Sequence, residues 1–204
     1  MKITGSILPG YQVYQYLLIL NPHEELGNRI AKIKNEFNQE YKVTYKVGGK
    51  ASLALVHYAQ YEMMEERILN KLKLVALGFS PSKIELKDFG SFPSHTIFIN
   101  VTSKLPIQKL VKEIRSETQR LMKLNDETKP HFIVEPHIII ARKLKPWQYE
   151  KAWLEYSNKH FNGRFIANSM ILLKRQQKEH PWRIVQRFDF MNMPVSTKQG
   201  ELFG

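Results

Sequence analysis

Lys50-Ala51-Ser52-Leu53-Ala54-Leu55 and Glu135-Pro136-His137-Ile138-Ile139-Ile140 stand 85 residues apart, counted from Leu53 to Ile138, and each leads into an apolar run. Both runs are rich in aliphatic side chains and read as strands. In a regular strand side chains alternate between the two faces. Leu53, Leu55, Ile138 and Ile140 then share the core side, while Ser52, Ala54, His137 and Ile139 point away from it. Strand parity also sends Lys143 to the side of His137 and Arg142 to the opposite one.

The flanking sequence repeats as well. Tyr11 to Leu20 is β-prone and stopped by Asn21-Pro22. Leu26, Ile30, Ile33 and Phe37 recur at helical spacing between His23 and Tyr41, with Glu24 and Glu25 in the first turn. Val43 to Val47 alternates, Gly48-Gly49 turns the chain, and Lys50 to Tyr61 is the next strand. Glu62 to Leu77 reads as a helix closed by Gly78. Strands over Lys83 to Phe89 and His95 to Thr102 follow, with Gly90-Ser91-Phe92-Pro93 as a loop. The second half runs helix (Pro106 to Leu124), strand (Phe132 to Leu144, with Pro136 marking an edge or bulge), helix (Trp147 to His160) and strands over Phe165 to Lys174 and Trp182 to Phe190. Met191 to Gly204 reads as a loose tail.

The expected fold is α+β: two pseudo-symmetric lobes, each an antiparallel sheet with helices outside and a ligand cleft between them. The whole chain, 1–204, is expected to form one bilobal domain, with lobes from the repeated halves at about 11–90 and 94–190 and a tail at 191–204.

Lys plus Arg is 31 against 19 Asp plus Glu, a net charge of +12, which points to an anionic partner such as RNA or a phosphorylated nucleotide. The absence of cysteine excludes disulfide frameworks, thiolate nucleophiles and Cys-ligated zinc. No apolar run approaches the roughly 18 residues of a membrane span, and Met1 to Gly10 lacks the apolar segment of a signal peptide. A cytoplasmic protein without membrane attachment is expected.

Pro136-His137-Ile138-Ile139-Ile140-Ala141-Arg142-Lys143-Leu144 resembles the second signature of the 2H phosphoesterases, the 2′-5′ RNA ligase-like family. Phe89-Gly90-Ser91-Phe92-Pro93, the strand Thr96 to Val101 and the pattern around Met170 to Leu173 are similar to it too, so the resemblance spans about residues 11–190. It implies one His-x-Thr/Ser motif per lobe, facing each other across the cleft. It also implies phosphodiester transfer or hydrolysis on RNA ends or cyclic nucleotides, without metal or cofactor. One histidine would act as base and the other as acid, and each hydroxyl would hold the phosphate.

Three of the four motif positions depart from that pattern. Ser52 stands where the first histidine belongs, and Ala54 and Ile139 where the hydroxyls belong; His137 remains. A serine hydroxyl stays protonated near neutral pH and cannot exchange a proton there as histidine, with an ordinary pKa of about 6.5, can. Loss of one acid–base partner alone costs about 10²- to 10⁴-fold. His57 is the substitute nearest in sequence, but its parity sends it to the core face or to packing near the strand end. His95, at a strand mouth, could partner His137, and Lys143 could meet an anion at the cleft. Arg142 is as consistent with a solvated strand end. His131 and His137 lack a third ligand for a metal. Lys174, Arg175, Lys178, Arg183 and Arg187 surround Trp182 in a basic hairpin that could grip a single strand or only protect a sheet edge. Three functions are open: the first is a divergent phosphoesterase working from His137 with His95 or His57, and the second is a non-catalytic RNA- or nucleotide-binding module. A structural or partner-binding role is the third.

Overall fold

A computed structural model describes residues 10–44, 51–177 and 179–194. The chain runs β1 (Val13–Leu20), α1 (Glu24–Glu40), β2 (Leu53–Tyr61), a 3-10 turn (Glu62–Met64), α2 (Glu65–Gly78), β3 (Ser82–Phe92), β4 (Thr96–Val101) and α3 (Lys104–Met122). It continues with β5 (His131–Phe132), β6 (His137–Arg142), α4 (Pro146–Tyr156), β7 (Asn162–Ala167), β8 (Ser169–Arg175) and β9 (Arg183–Asp189).

The strands form two antiparallel sheets, ordered β5-β2-β1-β8-β9 and β6-β4-β3-β7. Strand for strand, β2-β1-β8-β9 matches β6-β4-β3-β7, which is the expected pseudo-symmetry. Helices α2 and α3 cover one face of the five-stranded sheet, and α1 and α4 cover one face of the four-stranded sheet. Each sheet thus has a helix-covered face and an open one. The backbones of β2 and β6 approach within 8 Å, so the sheets abut along the strands that carry the repeated motif.

The core follows the alternation. Leu53, Leu55, Ile138 and Ile140 are fully buried, as are Tyr16 and Leu18 on β1. Behind the four-stranded sheet, Phe37 of α1 packs edge-on against Tyr156 of α4 at 5.1 Å, and Tyr156 meets Phe89 of β3 at 4.9 Å. These rings tie both helices to the sheet that carries His137.

Several elements differ from the sequence-based expectation. Phe132 to Leu144 is not one strand: β5 joins one sheet and β6 the other, with Pro136 in the crossover. Phe165 to Lys174 likewise splits at Asn168 into β7 and β8, which belong to different sheets. Neither sheet is therefore built from one half of the chain, and the boundaries 11–90 and 94–190 do not follow sheet membership. Gly90-Ser91-Phe92 continues β3 rather than forming a loop. Val43 and Thr44 are not strand; the rest of the expected strand to Val47, and the Gly48-Gly49 turn, lie outside the described residues. The start of the tail is not loose. Met191 and Met193 donate backbone hydrogen bonds to the carbonyls of Ala76 and Leu77, and Asn192 donates to that of Phe79. They satisfy carbonyls that the end of α2 leaves without helical partners. Among the described residues no helix is long and apolar enough to cross a membrane.

Candidate active site

A β-bulge interrupts each motif strand. Leu18 stands opposite Val56 and Ile19 opposite Ala54, so Leu55 is the extra residue in β2. Ile97 stands opposite Ala141 and Phe98 opposite Ile139, so Ile140 is the extra residue in β6. Leu55 and Ile140 are also 85 residues apart, so the repeat extends to its irregularity. An inserted residue reverses parity for everything beyond it.

Three expectations are overturned. His57 lies on the open face with Ala54, not on the core face: it is exposed, while Val56 and Tyr58 are buried. Arg142 lies on the open face with His137 and Ile139. Lys143 follows the end of β6 in a left-handed conformation, φ 56°, and does not continue that face. The open face of β6 therefore presents His137, Ile139 and Arg142. The matching face of β2 presents Ala54 and His57, with half-buried Ser52 one residue ahead of the strand. His57 is the counterpart of Arg142, not of His137. From Ser52 to His57 is four strand steps once the bulge is discounted, roughly 13 Å along the strand. That is too far for His57 to reach a phosphorus atom held at position 52.

His137 is half-buried beside Phe92 and Phe98, with ring centroids at 5.0 and 4.9 Å. Its Nδ1 lies 2.7 Å from the Glu135 carbonyl. A carbonyl only accepts, so Nδ1 carries the proton and the neutral ring keeps its lone pair on Nε2. Burial pushes its pKa below the ordinary histidine value, against an opposing pull from the Glu135 contact. At neutral pH His137 is thus an uncharged acceptor.

The other expected residues are dispersed. His95 is exposed in the turn between β3 and β4, its Nδ1 2.7 Å from the Thr96 hydroxyl. His131 stands directly opposite His57 on β5, away from His137. No group of three or more metal-ligating side chains occurs among the described residues. The basic hairpin divides. Lys174 is bound to Glu62 at 3.1 Å and Glu65 at 2.9 Å, and Arg187 holds Asp189 at 2.8 Å. Arg175 lies 4.3 Å over the Trp182 ring and donates to Gln15 at 2.9 Å. Trp182 also meets His57 edge-on at 6.4 Å. Lys178 lies outside the described residues. A cavity of about 640 Å³ lies elsewhere, between the start of α1 and the β3–β7 pair, lined by His23, Arg29, Glu85, Lys87 and Arg164.

Asn100 was not anticipated. It stands opposite His137, on the open face of an otherwise buried β4. A lone polar residue inside Thr-Ile-Phe-Ile-Asn-Val is the signal that could have found it.

Two antiparallel sheets abutting along paired motif strands define a 2H-type fold, and comparison with known proteins agrees. The model of the 2′-5′ RNA ligase superfamily matches residues 22–179. The chain belongs to that superfamily. Among solved structures, TT0787 of Thermus thermophilus is similar with a TM-score of 0.63 and 15% identity, covering 87% of this chain and 98% of that one. Escherichia coli LigT complexed with 3′-AMP gives 0.60 and 13%, covering 88% and 98%. LigT complexed with ATP gives 0.59 and 15%, covering 87% and 98%. At such identities the likeness is one of fold. No curated protein matches the chain in sequence.

Proposed function

We propose that this protein binds a nucleotide or an RNA end in the cleft along β2 and β6, and that it lacks the two-histidine phosphodiester chemistry its motifs resemble. One observation carries the proposal: of the motif positions on the two open faces, only His137 keeps a side chain that can exchange a proton near neutral pH. Ser52 cannot do so, and Ala54 and Ile139 offer no hydroxyl to a phosphate. The two histidines that could serve as replacements are poorly placed: His57 by strand distance, and His95 by its position before Thr96, at the opposite end of β4 from Asn100, which pairs with His137. The net charge of +12 and the fold shared with proteins crystallised with 3′-AMP and ATP support a nucleotide as ligand. A cytoplasmic setting fits a chain without cysteine.

Titration calorimetry with 3′-AMP tests the proposal. Wild type is expected to bind, and His137→Ala to weaken binding by about 10-fold, the worth of one good polar contact. His57→Ala is expected to change affinity by less than about 3-fold, because His57 lies four strand steps from position 52, the counterpart of His137. Absence of 3′-AMP binding to folded wild type would overturn the nucleotide reading.

A further inference from the structure

Around His137 the open face is apolar and aromatic where the family pattern would hold a phosphate. In one row across β3, β4 and β6 stand Gly90, Phe98 and Ile139; in the next, Asn100 stands beside His137. The Phe92 and Phe98 ring centroids lie 4.7 Å apart, and both flank the His137 ring. Gly90 makes this packing possible. A Cβ there would lie 2.6 Å from the Phe98 ring and would collide with Asn100 Oδ1, so any side chain would displace both.

A phosphate seated on this surface would exchange water for hydrocarbon, at large cost. A flat heteroaromatic ring would gain stacking on Phe92, which is exposed and backed by the buried Phe98 ring. The surface also has a polar edge. The Asn100 amide has no hydrogen-bond partner among the described residues and offers both an acceptor and donors, the set that pairs with the amino group and ring nitrogen of adenine. His137 Nε2 can accept a further N–H. Arg142, opposite Thr96, sets a cation two positions along the same face.

We propose that the open face of β3, β4 and β6 seats an adenine-type base, stacked against the exposed ring of Phe92 with its amino edge toward Asn100 and His137, so that the phosphates lie toward Arg142 rather than over His137. This rests on the nucleotide-binding reading above and specifies which part of the nucleotide occupies the motif positions.

Titrations with adenosine, uridine, 3′-AMP and inorganic phosphate test it. Adenosine is expected to bind within about 10-fold of 3′-AMP and at least about 10-fold more tightly than uridine, and inorganic phosphate to leave 3′-AMP binding unchanged. Phe92→Ala and Asn100→Asp are each expected to lower adenosine affinity about 10-fold, with the far-ultraviolet circular dichroism of wild type. The aspartate keeps the shape and removes the amide donors. Binding of 3′-AMP without binding of adenosine would overturn the base slot and leave the nucleotide reading standing. So would competition by inorganic phosphate together with an unaffected Phe92→Ala. Absence of binding by every ligand would overturn both.

Discussion

Ser52→His, Ala54→Thr and Ile139→Thr introduced together are expected to raise turnover of a 2′,3′-cyclic nucleotide from background by at least about 100-fold, the lower bound for restoring one acid–base partner. The repeat places positions 52 and 137 as counterparts, and the paired bulges at Leu55 and Ile140 leave Ala54, His137 and Ile139 on the open faces, with Ser52 one residue ahead of β2. His137 already has its proton on Nδ1 and its lone pair on Nε2, as a general base requires. A second histidine would supply the acid, and the two hydroxyls would supply donors where charge develops. Ile139 is only half-buried, so Ile139→Thr is tolerable to the sheet. Ile139→Thr alone is expected to give no turnover, since the missing proton donor remains missing. A folded triple variant without activity would mean that position 52 does not face His137. The measurement is release of the ring-opened product, with no metal added.

Lys34→Met is expected to stabilise the protein by on the order of 3 kcal/mol at pH 7. Lys34 sits on the buried side of α1 and is 5% exposed. Burial lowers its pKa from 10.5 to about 8, with a smaller contribution from the charge of Arg142. The unfolded chain therefore holds the proton more tightly than the native one. Below about pH 8 the amine is charged in both states and the native state carries the full penalty. Between about pH 8 and 10.5 the unfolded state binds more protons, so stability rises with pH as the penalty fades. Methionine has similar length and no charge to desolvate. Urea unfolding across that pH range checks both effects: a higher midpoint for the variant at pH 7, and loss of the rise above pH 8. A variant less stable than wild type at pH 7 would show that the ammonium is held by an anionic partner.

The helices were legible because their apolar spacing is strong: Leu26, Ile30 and Phe37 are buried as their period requires. The sheet assignments were not. A single residue, Asn168, separates β7 from β8, and the turn-favouring pair Asn168-Ser169 is too short an interruption to mark a change of sheet. The motif positions at His137 and Ile139 rest on the family resemblance, and the 85-residue offset carries them to Ser52 and Ala54. What lay on either side of them did not, because both bulges fall on aliphatic residues, Leu55 and Ile140, with no glycine or proline to betray them. His57 and Arg142 were accordingly placed on the wrong faces, although they too stand 85 apart. Phe92 and Gly90 were visible as letters, but their meaning depends on ring packing that strand parity does not contain.

The fold of the 2′-5′ RNA ligase superfamily here carries one histidine, one serine, one alanine and one isoleucine at its motif positions. The most direct measurement is turnover of a 2′,3′-cyclic nucleotide by wild type beside His137→Ala, without added metal, on protein shown to bind 3′-AMP. No turnover by either protein is the predicted result. Turnover by wild type that disappears in His137→Ala would contradict the account and restore a two-residue phosphodiesterase with a partner other than Ser52.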